Sequence, residues 1–162
     1  NTDFHQSTGV YKNARDGRCV LAVSGFHGSL VGIQKAMSEL LDPPERWKTC
    51  NSYMYAPFVR TWRHHTSLGN WSKIAHYLSR SCASVTITGE SLGGSSAEIL
   101  ASCSASHQLW QLQPARLPSF HVHSIHTFGA MASATVPLRN TSGGSLCFHG
   151  KRWFHTRDVI SK

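Results

Sequence analysis

The spacing of apolar residues changes along the chain, and the changes mark out strands and helices. Residues 1–17 are mostly polar, without a clear period, and we expect an irregular leader there. The apolar, partly β-branched run Cys19–Val23 predicts a buried strand that ends at Ser24-Gly25. Leu30–Leu41 has apolar residues at helical spacing, and two prolines end that helix before a loop expected through Pro57.

The second half of the chain repeats this alternation of elements. Residues 71–78 carry apolar side chains at helical spacing, with Asn70 as the expected N-cap. Val85–Thr88 predicts a second strand, which runs into a glycine-rich turn and then a helix. Phe120–Phe128 and Arg152–His155 predict the third and fourth strands, and the small polar residues between positions 132 and 144 predict a loop.

This order of elements predicts an α/β protein with a mostly parallel sheet and helices on both of its faces. The length of 162 residues fits one domain, which would cover residues 18–162 after the leader. A content of 40% hydrophobic and 15% charged residues is typical of a globular chain rather than a disordered one. No apolar run has the length of a membrane span.

The charge of the chain narrows the choice of partners. The formal net charge is +8, which favours anionic partners such as an anionic membrane surface or an acidic protein. The basic residues are scattered, and the densest group holds only Arg60, Arg63, His64 and His65. Because no nucleic-acid-binding motif accompanies them, binding to nucleic acid is disfavoured.

The cysteines and histidines of the chain are potential metal ligands. The five cysteines contain no CxxC pair, so a zinc ribbon or a thioredoxin-like site has no support, and we predict buried free thiols. His121 and His123 share one face of a predicted strand, but no third ligand follows at suitable spacing. We therefore predict neither a metal site nor a cofactor.

The turn after the second predicted strand carries the strongest chemical signal. Gly89-Glu90-Ser91-Leu92-Gly93 has the GxSxG pattern, with Gly94 adding further room. Such a turn needs a strand before it, small residues around a strained serine, and a helix after it whose first amides face the reacting group. All three are predicted here, so Ser91 is the candidate nucleophile.

Several segments resemble, in the same order, motifs of the class 3 (fungal-type) lipases, a family of the α/β-hydrolase superfamily. Val85–Gly94 resembles the strand and GHSLGG elbow of that family, and Ala56–Trp62 resembles its HxGFxxxW segment. Val20–Ser29 resembles the strand and FRGT-like oxyanion turn. Ile125–Gly129 and Phe154–Ile160 resemble its TFG strand end and the strand that leads to a DxV-type acid. The resemblance implies an α/β-hydrolase-like domain acting on lipid or other carboxylic esters.

The resemblance also implies roles for individual residues. Ser91 would be the nucleophile, Asp158 the acid of the triad, and Leu92 the donor of one oxyanion-hole amide. The second oxyanion donor depends on the alignment of the turn, which gives either Ser29 or Phe26; Ser29 is preferred because its hydroxyl can also contribute.

The sequence departs from the family pattern at two points. The triad histidine of the family lies well beyond the acid, but the printed sequence ends four residues after Asp158, so we expect a domain truncated at its C-terminus. His27, His126 and His155 are substitutes to consider, although surface or core-edge positions are the preferred interpretation of each. Glu90 occupies the position where the family usually has histidine, and its charge would oppose a nearby oxyanion.

Two functions therefore remain open at this stage. One is a lipase or esterase that uses Ser91, with Asp158 orienting a histidine that the printed sequence does not show. The other is a catalytically inactive lipase-like domain that serves as a structural or docking subunit of a larger, membrane-bound assembly. The compartment cannot be inferred from the sequence.

Overall fold

The structure, a computed structural model, describes residues 7–25, 38, 46–50, 52–55, 58–59, 62–63, 70–105, 117–133 and 148–154. The elements with described bounds are β1 (Thr8–Lys12), β2 (Cys19–Val23), β3 (Arg46–Thr49), β4 (Ser52–Tyr55), α1 (Trp71–Ser81), β5 (Val85–Glu90), α2 (Leu92–Ala105), β6 (Val122–Phe128) and β7 (His149–Trp153).

Five of the strands form one mixed sheet in the order β1-β2-β5-β6-β7. The pairs β2–β5, β5–β6 and β6–β7 are parallel, whereas β1 pairs with β2 in the antiparallel direction. The predicted α/β fold with a mostly parallel sheet is therefore confirmed. β3 and β4 form a separate antiparallel hairpin.

The sheet has two unlike faces, because side chains alternate along each strand. The core face is lined by a buried cross-strand row of Leu21, Ile87 and Ile125. The outer face is defined by the alternate positions, which include Ala22, Thr88, His126, Glu90 and Phe128. The two faces differ in burial, since Glu90 and Phe128 are exposed whereas the core-face row is not.

Both described helices belong to the core side. α2 contacts β2, β5 and β6, and its small residues allow the helix to lie close to the strands. α1 buries Trp71, Ala75 and Leu78, which repeat at helical spacing and join the same hydrophobic cluster. Neither of the two helices with described bounds lies on the outer face, so the predicted helices on that face stay a prediction.

The prediction of an irregular leader over residues 1–17 is wrong for part of its length. Thr8–Lys12 forms β1, an edge strand held in register against β2 from Thr8–Val23 to Lys12–Cys19. Its residues are half-buried or exposed, so the segment lacks the apolar run that predicts a strand. Pairing with β2, rather than local propensity, makes it a strand.

The loop expected before Pro57 contains the β3–β4 hairpin. Cys50 lies in its turn with a φ of 51°, a conformation that glycine or asparagine usually supplies. The hairpin is joined to the domain by the Cys50–Cys103 disulfide and by the Tyr55 amide, which donates to the carbonyl of Ser133 at 3.0 Å.

The prediction of free buried thiols is wrong for four of the five cysteines. Cys19 pairs with Cys82 and Cys50 pairs with Cys103, across sequence separations of 63 and 53 residues. The first disulfide joins the start of β2 to the end of α1, and the second joins the hairpin to α2. Cys147 lies outside the described residues.

The remaining predicted elements are found with shifted bounds. α1 begins after Asn70 as expected, but the Asn70 side chain makes no capping hydrogen bond. The third and fourth strands occupy 122–128 and 149–153 rather than 120–128 and 152–155. The helix predicted over 30–41 and most of the loop over 132–144 lie outside the described residues. No described helix is long and apolar enough to cross a membrane.

Candidate functional site

Ser91 lies between the last residue of β5 and the first residue of α2, as the GxSxG pattern predicted. Its φ of 52° is in the left-handed region, where non-glycine residues are uncommon. A serine in this conformation on a strand-to-helix turn is the geometry of a nucleophile elbow. Its side chain is exposed at the carboxyl end of the sheet.

The glycines around Ser91 are required by close backbone packing. A Cβ atom at Gly89 would overlap the carbonyl of Gly93, and one at Gly93 would overlap the carbonyls of Val23 and Ser24. A Cβ atom at Gly94 would lie only 2.5 Å from the Cβ of Ala130. The start of α2 therefore sits directly against β2, β5 and the segment after β6.

Backbone hydrogen bonds hold the elbow from both sides. The Ser91 amide donates to the carbonyl of Phe128 at the end of β6, at 2.9 Å. The Ser91 carbonyl accepts from the amides of Gly94 and Ser95 at 3.0 and 3.3 Å, which closes the first turn of α2. The strained turn is therefore anchored to the neighbouring strand and to the helix that follows it.

The helix start supplies candidate anion donors. Leu92 is the first residue of α2, and the first amides of a helix have no acceptor within it. The Leu92 amide and the helix dipole therefore favour negative charge beside Ser91. The other predicted oxyanion donors, Ser29 and Phe26, and the predicted acid Asp158 lie outside the described residues.

No described histidine makes a hydrogen bond with Ser91. His126 is half-buried on the outer face, in register with Thr88, so its strand position directs it away from the core side. His27 and His155 are outside the described residues. The structure thus places the predicted nucleophile, Ser91, next to the predicted oxyanion donor, Leu92, whereas the predicted acid, Asp158, lies outside the described residues.

The first half of α2 takes part in a polar network that the sequence analysis missed. Ser133 donates to the Glu98 carboxylate at 2.6 Å, and Arg152 on β7 donates to the carbonyl of Ala130. Burial raises the pKa of the Glu98 carboxyl, although the Ser133 hydrogen bond and the Arg152 charge oppose this effect. Ser95 donates to the carbonyl of Met131 at 2.7 Å, so polar contacts fix the segment after β6 against α2.

The two histidines of the predicted strand do not form a metal site with their described neighbours. His121 precedes β6, while His123 lies at a register irregularity and faces His149 of β7 with ring centroids 6.1 Å apart. In the described part of the chain, no group of three or more His, Cys, Asp or Glu residues is arranged to hold a metal ion.

Comparison with solved structures finds a similar fold. The structure superposes on the crystal structure of a lipase from Rhizopus microsporus var. chinensis with a TM-score of 0.61 at 16% sequence identity. The match covers 98% of this chain and 51% of the lipase, so the chain spans about half the length of that protein. No family model and no curated protein matches the sequence.

The similarity establishes a lipase-like α/β fold. Identity at this level supports the fold alone.

Proposed function

We propose that the chain is a lipase- or esterase-like domain of the class 3 type, in which Ser91 attacks the carbonyl carbon of a carboxylic ester. The observation that carries the proposal is the conformation of Ser91, with its φ of 52° between β5 and α2. A strained, exposed serine held by close glycine contacts is a preorganised nucleophile.

The proposed reaction follows the serine-hydrolase scheme. The Ser91 Oγ forms a bond to the carbonyl carbon, a histidine takes its proton, and the carbonyl oxygen becomes an oxyanion. The Leu92 amide, together with the amide of Ser29 or Phe26, would bind that oxyanion. The alcohol then leaves with the proton from the histidine, and water hydrolyses the acyl-enzyme.

Asp158 would orient this histidine, as the triad acid does in the resembled family. The position of the histidine is left open, because no residue of the printed sequence matches it.

The proposed substrate class is lipid or other carboxylic esters. Its support is the Ser91 elbow and the superposed protein, which is itself a lipase. The net charge of +8 would favour an anionic lipid surface, where such substrates would be presented.

The second candidate is a catalytically inactive domain that acts as a structural or docking subunit. It is favoured by the lack of a described histidine bonded to Ser91 and by the carboxylate of Glu90 next to the nucleophile. A serine without a base is a poor nucleophile at neutral pH.

The two functions are separated by an assay of p-nitrophenyl esters of graded acyl length. A hydrolase should turn over at least one ester, and Ser91→Ala should lower kcat by at least about a thousandfold. Ser96→Ala, on the next turn of α2, is the matched control and should retain most of the rate. A natural full-length protein without turnover, or with equal turnover in Ser91→Ala, would favour the docking subunit.

A further inference from the structure

A cavity of about 460 Å³ opens on the outer face of the sheet, near the carboxyl ends of β2 and β5. Its volume is in the range typical of small-molecule sites. Glu90 and Phe128 lie on its rim, and Ser91 is not among its lining residues. The cavity is therefore adjacent to the elbow but on the other side of the strand.

The cavity has a floor of small side chains and a wall at each side. Gly9, Ala22 and Thr88 form a cross-strand row along the floor. The ring of Tyr11 folds back over this floor, since a Cβ atom at Gly9 would lie 3.2 Å from the edge of that ring. Phe128 lines the opposite side, and the two aromatic side chains are 67% and 47% exposed.

The charge of the cavity contrasts with that of the chain. Among its described lining residues, Glu90 is the one charged side chain, whereas the chain as a whole carries +8. Glu90 forms no ion pair with any residue that the structure describes. A carboxylate opposite Phe128, in a cavity that Tyr11 also lines, thus remains available to a ligand.

We propose that this cavity binds a small organic cation with an apolar body, of the alkylammonium class. The Glu90 carboxylate supplies the opposite charge, and the aromatic side chains of Tyr11 and Phe128 suit a cation that is weakly hydrated. The small residues of the floor leave room for the methyl groups of a quaternary ammonium.

A metal ion fits the cavity less well than an organic cation. Divalent metals require several oxygen, nitrogen or sulfur ligands, and the described residues of the lining offer a single carboxylate. The described residues contain no cluster of metal ligands. Aromatic walls favour a large, soft cation over a hard, hydrated one.

The test is a titration of the full chain with choline, followed by NMR chemical shifts, with the neutral isostere 3,3-dimethylbutan-1-ol in parallel. Choline should bind saturably and at least about fivefold more tightly than the isostere. Glu90→Gln should weaken choline binding about fivefold, and Tyr11→Leu about threefold. Tyr77→Leu is the matched control, because Tyr77 is an exposed tyrosine on α1, away from the cavity.

Equal affinity for choline and its isostere would overturn the proposal without any need for a variant. Absence of saturable binding, or full choline affinity in a folded Glu90→Gln protein, would do the same. Ser91→Ala should bind choline as the wild type does, because Ser91 does not line the cavity. The outcome is thereby independent of whether the chain hydrolyses esters.

Discussion

The two faces of β5 differ in what their side chains do. On the core face, Val85, Ile87 and Gly89 are buried against α2 and its neighbours. On the outer face, Thr86 and Thr88 are half-buried and Glu90 is exposed. One strand therefore carries a packing surface on one side and a polar, chemically varied surface on the other.

The difference shows how the elbow is made. On the core face, the backbones of Gly89, Gly93 and Gly94 lie so close to their neighbours that a Cβ atom would not fit. This close packing holds Ser91 in its strained conformation. The outer face imposes no such constraint, so the exposed side chain of Glu90 is accommodated there without disturbing the turn. Substitutions on the core face should consequently cost far more stability than those on the outer face.

The largest expected loss of stability comes from removing the Cys19–Cys82 disulfide, which lies at the start of β2. Replacing Cys19 and Cys82 together by alanine should lower the free energy of unfolding by about 4 kcal/mol, because the disulfide closes a loop across 63 residues. The double alanine variant at Cys50 and Cys103, with a separation of 53, should lose a similar amount. Urea unfolding measures both, and a loss below about 1 kcal/mol would show that these linkages do not stabilise the fold.

The next largest loss of stability is expected for Gly93, which packs on the core side, and it can be compared with that for Gly9 on the outer face. Gly93→Ala should cost about 3 kcal/mol, because its Cβ would overlap backbone carbonyls at the end of β2. Gly9→Ala should change stability by less than about 0.5 kcal/mol, since its Cβ meets only the movable ring of Tyr11. Thermal unfolding of the two variants checks the contrast, and equal losses would contradict the account of the two faces.

A buried hydroxyl on α2 should have a smaller effect. The Ser104 hydroxyl donates to the Phe120 carbonyl at 2.7 Å and accepts from the Phe120 amide at 3.0 Å. Ser104→Ala should lower the free energy of unfolding by about 2 kcal/mol, because both backbone groups lose their partner. Ser79→Ala, at an exposed hydroxyl that bonds only to the His76 carbonyl, is the control and should have little effect.

The smallest effect depends on pH. Because the folded-state pKa of Glu98 is raised, its contribution to stability is complete below the unfolded-state pKa and is lost as pH rises through the folded-state pKa. Glu98→Gln does not titrate, so its stability relative to wild type should increase as pH rises above about 4, where an unfolded glutamate ionises. Denaturant unfolding at several pH values tests this, and a difference that is constant with pH would contradict the burial of the carboxylate.

The sequence predicted the elements whose signals are local. Val85–Thr88 and the following glycines identify strand, turn and helix within ten residues, because the elbow depends on neighbouring backbone atoms. Cys19–Val23 is equally clear, since a short continuous apolar run indicates a strand, although Val20 on the outer face is exposed.

The missed features depend on distant parts of the chain. β1 is a strand because it pairs with β2, and its own residues have no apolar period. The disulfides join cysteines more than fifty residues apart, a pairing that spacing alone does not determine. The cavity likewise combines Tyr11 and Phe128 from strands that are not neighbours in the sequence.

The most direct test of the central claim is the site at which a fluorophosphonate probe reacts with the natural full-length protein. Peptide mass mapping should locate the phosphonyl group on Ser91, and Ser91→Ala should abolish labelling while Ser96→Ala retains it. Labelling that persists in Ser91→Ala, or no labelling of a folded wild-type protein, would contradict the assignment of Ser91 as an active nucleophile.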